Sequence, residues 1–280
     1  MGSSSKGYVY LLKSDRSEYI KIGGTDFPPL KRIREINTTG PYKSLGPWKL
    51  VDFRQVADWR KVESTLHYTF RSKLNKDITG QKELFDVPLQ VASRQLNKID
   101  VSLIIDKPKV DRMFQDEDFF DYLLQLFKFT GLLNWLDIQG AWTFVLFPLT
   151  NGGRYFTINI GTHEVAFCSL PVENKKFWHM ILVDSLINEF PGTIRWIKKH
   201  KGDLEEDVYA SARPRATSIR FLGEFADAKE FFELDGVRRA LIAYWSEALT
   251  ILNERNVLSS YSRYHNWNAI AKINSVVNSR

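Results

Sequence analysis

Tyr10 and Lys21 stand in two short β-rich runs, GYVYLLKS and YIKIGGT, on either side of the polar turn DRSE. Arg32 follows in LKRIREI, Glu63 and His67 sit four residues apart in DWRKVESTLHYTF, and Glu83 opens ELFDV. The residue types match one kind of chemistry. A carboxylate holds a hard divalent cation through oxygen. An arginine clamps a phosphate through two N–H donors and offsets charge in a transition state. A phenol or imidazole near a cation gives up its proton more readily and helps to activate water. Together these are the requirements of phosphodiester cleavage. Each residue alone also has a plain structural reading. Tyr10 is then a packing residue, Lys21 a solvated strand charge, Arg32 a surface helix residue and Glu83 a polar strand start. Glu63 and His67 become an i,i+4 pair worth about 0.3 kcal/mol. Only the joint pattern favours chemistry.

These groups need elements to hold them. YVYLLKS and YIKIGG read as strands about their turn. PPLKRIREINTTG reads as a short helix, with Pro at its start, Leu30, Ile33 and Ile36 at helical spacing, and a stop at NTTGP. WKLVDFRQV is a third strand. DWRKVESTLHYTFRSKL is a second helix, capped by Asp58, with Val62, Leu66 and Phe70 on one stripe and Leu74 extending it. Glu63 and His67 then share a face at the edge of the core. KELFDVP is a short strand closed by Pro88. Residues 91–115 read as a connector. Beyond it, QDEDFFDYLLQLFKFTGLL is a packed helix with Asp116, Glu117 and Asp118 in its first turn, where the helix dipole favours carboxylates. AWTFVLFPLTNGGRYFTINIG forms two strand arms about TNGG, a hairpin signal, and HEVAFCSL adds a strand. FWHMILVDSLINEF reads as a helix before PG, and DGVRRALIAYWSEALTILNERNVL as a long amphipathic helix. The expected fold class is α+β. A small N-terminal domain (1–90) has a mixed sheet flanked by helices, and a larger α+β domain (116–280) has an antiparallel hairpin and long helices.

The net charge of +6 is unevenly placed. Residues 1–90 carry 16 Lys and Arg against 10 Asp and Glu, whereas residues 91–280 carry 23 of each. A compact basic domain attracts polyanions, nucleic acid first among them. In the neutral remainder, RPRATSIR (Arg213, Arg215, Arg220), RWIKKHK and SYSRYHNW interleave basic and aromatic residues in a way that suits phosphate contact and base stacking. The acidic GDLEED nearby balances them. No apolar run approaches the roughly 20 residues that span a bilayer, and MGSSSK lacks the apolar core of a signal peptide. The single cysteine, Cys168, leaves no disulfide within the chain and suits a cytoplasmic location; EVAFCSL reads as a packed strand. His163, His179, His200 and His265 show no HxH or HxxxH spacing, so zinc is not expected. No phosphate-binding Gly-rich loop or GxSxG is present, which leaves ATP-driven and serine-hydrolase chemistry without support.

Over residues 7–87, in unbroken order, YVYLL with its motif ending in Tyr10, KIGGT with Lys21, LKRIREINT with Arg32, WRKVESTLHYTF with Glu63 and His67, and ELFDV with Glu83 and Phe85 resemble the GIY-YIG nuclease superfamily. Within it they resemble the T5orf172/Mug113-like branch. The resemblance implies that Tyr10 is a general base or orients water. Lys21 stands where the second motif has Tyr, a cation expected to lower the Tyr10 pKa. Arg32 takes the catalytic arginine's place, with Lys31 as the alternative because the loop GGTDFPPLKR is one residue longer than the commonest spacing. Glu63 is the implied ligand of one Mg²⁺ or Mn²⁺ acting as a Lewis acid. His67 and Glu83 match positions typical of the branch, while the family's downstream Asn has no counterpart.

The expected activity is metal-dependent DNA endonuclease, in restriction or phage defence. Lys31, Arg34, Arg213, Arg215 and Arg220 are expected to contact nucleic acid, and a homodimer would allow both strands to be cut. Single-stranded, double-stranded and modified DNA stay open, and RNA differs only in substrate. The alternative is a nucleic-acid-binding protein that keeps the fold without turnover.

Overall fold

The computed structural model describes residues 5–136, 140–148, 153–209, 212, 214–255, 257, 259 and 261–278. The chain forms two compact units, 1–107 with 267–279, and 108–266.

The first unit begins with strand β1 (Gly7–Ser14), β2 (Ile20–Thr25), helix α1 (Pro29–Thr38), β3 (Trp48–Val56), α2 (Trp59–Thr69), β4 (Leu84–Phe85) and α3 (Leu89–Asn97). The strands lie in the order β3-β1-β2-β4. Every pair is antiparallel, so the sheet is not the mixed one expected. The alternation of β1 divides the core. Val9 and Leu11 meet Val62 and Leu66 of α2 and Phe70 just after it, with Ala92 and Leu96 of α3. Tyr8, Tyr10 and Leu12 face the other way, toward Ile33 and Ile36 of α1. Pro29 pre-sets the first turn of α1. The Asp58 carboxylate caps α2 by accepting from Lys61 N. That helix stops at Thr69, and a 3-10 turn carries Arg71–Lys73.

The second unit holds α4 (Lys107–Gln115, starting at the boundary), α5 (Glu117–Thr130), β5 (Trp142–Leu146), β6 (Arg154–Ile160), β7 (His163–Ser169), β8 (Phe177–Asp184), α6 (Pro191–Lys199), β9 (Asp203–Glu206), β10 (Ala216–Gly223), α7 (Phe225–Glu233) and α8 (Val237–Glu254). Its antiparallel sheet runs β5-β6-β7-β8-β10-β9. Asp116 caps α5, with Glu117 and Asp118 in the first turn. The TNGG turn lies outside the described residues up to Gly153, but its arms β5 and β6 pair antiparallel. The expected helix FWHMILVDSLINEF is instead β8 followed by a 3-10 turn, Ser185–Glu189. The strand is central and buried along nearly its whole length. It therefore reads as a continuous apolar run without the alternation that marks a half-exposed strand. RPRATSIR, read for its charges, leads into and forms most of β10.

The last helix, α9 (Trp267–Val277), belongs to the first unit. β3 is an edge strand, and Asn268 of α9 caps it: its Oδ1 accepts from Gln55 N at 2.6 Å and its Nδ2 donates to Gln55 O at 3.0 Å. A covered edge cannot template another strand. The connector expected over 91–115 is thus divided. Most of α3, with Ala92 and Leu96 buried, completes the first unit's core, and the boundary falls near Lys107. The C-terminal domain expected over 116–280 ends at Asn266 instead. Among the described residues no helix is long and apolar enough to cross a membrane.

Candidate functional site

Tyr10 pairs with Gly23 across the β1–β2 ladder. A Cβ at Gly23 would lie 2.6 Å from Tyr10 Oη and 2.7 Å from Cζ. The glycine therefore opens the space in which the ring lies across β2. On the opposite side, Gly7 and Gly24 leave room for the Trp59 ring, and its Nε1 donates to Asp26 Oδ1 at 2.6 Å. Tyr10 is 1% exposed. Burial pushes its phenol well above the usual tyrosine range. Arg32 opposes this by its charge and a hydrogen bond, and Glu63 adds to it. The expectation that Lys21 lowers the Tyr10 pKa is corrected here. Desolvation of the phenolate outweighs the nearby cations, and the cation that acts on Tyr10 is Arg32.

Lys21 shares the face of Leu12, its partner in the ladder, and is also 1% exposed. Its ammonium is in contact with the Glu83 carboxylate and lies 4.0 Å from the centroid of the Tyr42 ring. Burial pushes the ammonium down to about 7. Arg32 pushes in the same direction and Glu63 opposes. The touching Glu83 carboxylate also favours the charged form, so Lys21 is a buried cation with its own counter-ion.

Arg32 projects from the first turns of α1 with its guanidinium partly exposed, and its Nη1 donates to Glu35 at 2.8 Å. Tyr42, in the loop after α1, is the member of this cluster that sequence reasoning missed. Burial raises its pKa, the Lys82 backbone and Arg32 oppose, and Glu63 adds. Its loop, GPYKSLGPW, has no charge or spacing signal, and only the fold brings the ring over Lys21. Glu63 is thus within electrostatic reach of Tyr10, Lys21 and Tyr42. It is half-buried on α2 and makes no hydrogen bond or ion pair with the described residues.

The other expected residues lie elsewhere or do other work. His67 is half-buried, its Nε2 is 3.0 Å from the Ile22 carbonyl oxygen and its ring packs on Phe85. It ties α2 to the sheet. Lys31 reaches away over the Phe27 ring, at 4.6 Å, and Arg34 is exposed on α1. Arg215 and Arg220 are in the second unit; Arg215 bonds Asp184 at 2.9 Å and Arg220 bonds Glu205 at 2.9 Å. Arg213 lies outside the described residues.

Among the described residues no group of three or more His, Cys, Asp or Glu stands together as a metal cage. Of the two carboxylates in the cluster, Glu83 is taken by Lys21 and Glu63 offers oxygens without a protein partner among the described residues. That suits Mg²⁺ or Mn²⁺, because such ions are commonly held by one or two carboxylates, with water and substrate phosphate completing the shell.

No curated protein and no solved structure matches this chain. A family model does match, over residues 7–100. That span takes in the Tyr10, Lys21, Arg32, Tyr42, Glu63 and Glu83 cluster and extends through α3, in agreement with the packing of Ala92 and Leu96. The second unit is without a recognised family. The model is that of the T5orf172 domain, and residues 7–100 match it, consistent with a GIY-YIG-related branch.

Proposed function

We propose that the N-terminal unit is a metal-dependent DNA endonuclease. The observation that carries this reading is the convergence of Tyr10, Lys21 and Arg32, from β1, β2 and α1, around the unbonded carboxylate of Glu63 on α2. The T5orf172 domain, of a nuclease-like or DNA-binding family, supports it. So does the excess positive charge of residues 1–90. The exposed pair of Lys31 on Phe27, next to Arg32 in the chain, suits a nucleic-acid strand.

Glu63 would hold the ion. When bound, Mg²⁺ or Mn²⁺ supplies Lewis-acid stabilisation of the leaving oxygen. Arg32 binds the scissile phosphate and offsets its growing charge. Its tie to Glu35 is solvent-exposed and costs little to exchange for a phosphate. Tyr10 is neutral at physiological pH and positions the attacking water by hydrogen bonding. Lys21, held by Glu83 and Tyr42, adds positive charge beside the site in its protonated form. A homodimer would present two such sites to a duplex, and a restriction or phage-defence role suits that activity.

One observation favours the second reading, a binding protein without turnover. The Tyr10 phenol is buried and raised in pKa, so it is not a ready base. The test uses supercoiled plasmid, linear duplex and single-stranded DNA, each with Mg²⁺, Mn²⁺ or EDTA, beside Glu63→Ala. Metal-dependent cutting lost in the variant is expected. Binding of DNA without cutting on every substrate would favour the second reading.

A further inference from the structure

The second unit has a groove of about 380 Å³ that crosses its sheet. Arg154 of β6, Phe167 and Ser169 of β7, Trp178 of β8, Arg220 of β10 and Asp203 of β9 line it. Phe167 pairs with Met180, Met180 with Arg220, and Arg220 with Asp203. These residues form one row across neighbouring strands and present their side chains on one face.

Three features describe what the groove takes. First, Trp178 is half-buried, yet its ring packs on no aromatic ring or cation, and its Nε1 has no acceptor, among the described residues. Trp48, Trp59, Trp142, Trp196 and Trp245 all donate Nε1 to protein oxygens. A partly wet indole without a partner is a stacking platform. Second, the arginines are already answered. Arg154 pairs with Glu164. Arg220 pairs with Glu205 at 2.9 Å and, through Nε, with Asp203 at 3.5 Å. A phosphate would have to displace carboxylates, whereas a neutral planar ring would not. Third, Arg220 and Asp203 stand side by side. The second Nη of Arg220 is uncommitted, and the Asp203 carboxylate is 64% exposed. A donor fork beside an acceptor pair matches a base that shows two acceptors next to two donors. Guanine does so: O6 and N7 accept from arginine, while N1–H and the 2-amino group donate to a carboxylate. Adenine puts an acceptor, N1, where the carboxylate needs a donor.

We propose that this groove binds a guanine base, stacked on Trp178 and read at its edges by Arg220 and Asp203. The inference rests on the second unit alone and does not depend on cleavage by the first. The base comes from a free nucleotide or from an unpaired strand.

The test is calorimetric titration of the full chain with GMP, with AMP, and with thymine oligonucleotides carrying a single guanine or a single adenine. GMP, or the guanine oligonucleotide, is expected to bind at least about tenfold tighter than its adenine counterpart. Whichever of the two binds tighter identifies the source. Asp203→Asn is expected to remove that preference and leave the adenine ligands unchanged, and Trp178→Leu to weaken both. Should Trp178→Leu fail to fold, the exposed Asp203→Asn still decides. Equal binding of guanine and adenine ligands, no binding of either, or a preference that survives Asp203→Asn would overturn the proposal.

Discussion

In the N-terminal sheet a lysine is buried between a carboxylate and a phenol ring, and a glutamate nearby has no bonded partner. In the C-terminal unit Arg154, Arg215 and Arg220 each meet a carboxylate. The first arrangement leaves an acceptor and a cationic field for something that is not protein. The second neutralises its cations pair by pair, as the balanced count of residues 91–280 allows. Basic residues in a sequence therefore mark where a polyanion is attracted, but pairing decides whether they are available to it. Arg32 is itself tied to Glu35, so what sets it apart from Arg215 and Arg220 is its hydrogen bond to the buried Tyr10 of the cluster.

The units also differ in what they bury, and the largest expected effect follows from that. The C-terminal core holds His179 fully buried, with Nε2 3.2 Å from the Gly223 carbonyl oxygen. Desolvation lowers its pKa from 6.5 to about 4. The unfolded chain takes up the proton first as pH falls. The stabilisation is thus complete above about 6.5 and is lost as pH drops toward 4, by roughly 3 kcal/mol. Thermal melts between pH 7 and pH 4.5 should show the loss, and His179→Gln should lessen it, the remainder coming from His265, whose pKa burial lowers to about 3. An unchanged slope in that variant would assign the acid sensitivity to other groups.

Next in size is Lys21→Met, which leaves Glu83 without its cation. Because Glu83 is 30% exposed, the expected cost is about 2 kcal/mol, below that of a fully buried pair. Adding Glu83→Gln should recover part of it in urea unfolding. No recovery would mean that packing, and not charge, holds Lys21 in place. Gly23→Ala should cost about 1–2 kcal/mol by overpacking against Tyr10, and should reduce cleavage more than stability because it displaces the phenol. Arg215→Ala breaks a pair whose carboxylate, Asp184, is largely buried but keeps its bond from Leu186 N, and should cost about 1 kcal/mol. A larger loss would show that the C-terminal pairs carry more than neutralisation.

Much of the first unit was legible in its sequence. β1 to β3 and the two helices around Arg32 and Glu63 have strong local signals: alternation, a Pro start, an Asp cap and a stripe of Val62, Leu66 and Phe70. The blocks from Tyr10 to Glu83 keep an order that no single residue conveys. What escaped depends on long-range contact. Tyr42 enters the cluster from a loop, Glu83 finds Lys21 across the β2–β4 ladder, and Asn268 reaches Gln55 from 213 residues away. β8 escaped for another reason: a strand buried on both faces loses the alternation by which strands are read, and its apolar run passes for a helix. His67 had the right spacing for the site, but spacing does not reveal that its ring nitrogen is already engaged by the Ile22 carbonyl.

The most direct test is the cleavage rate of supercoiled plasmid in Mg²⁺ by the wild type and by Glu63→Gln, with DNA affinity measured on the same preparations. The variant keeps the side chain's shape and removes its charge. The rate is expected to fall by at least about a hundredfold, with affinity unchanged to within roughly threefold, since Glu63 is not a DNA anchor. A Glu63→Gln protein that cuts at the wild-type rate would contradict the account.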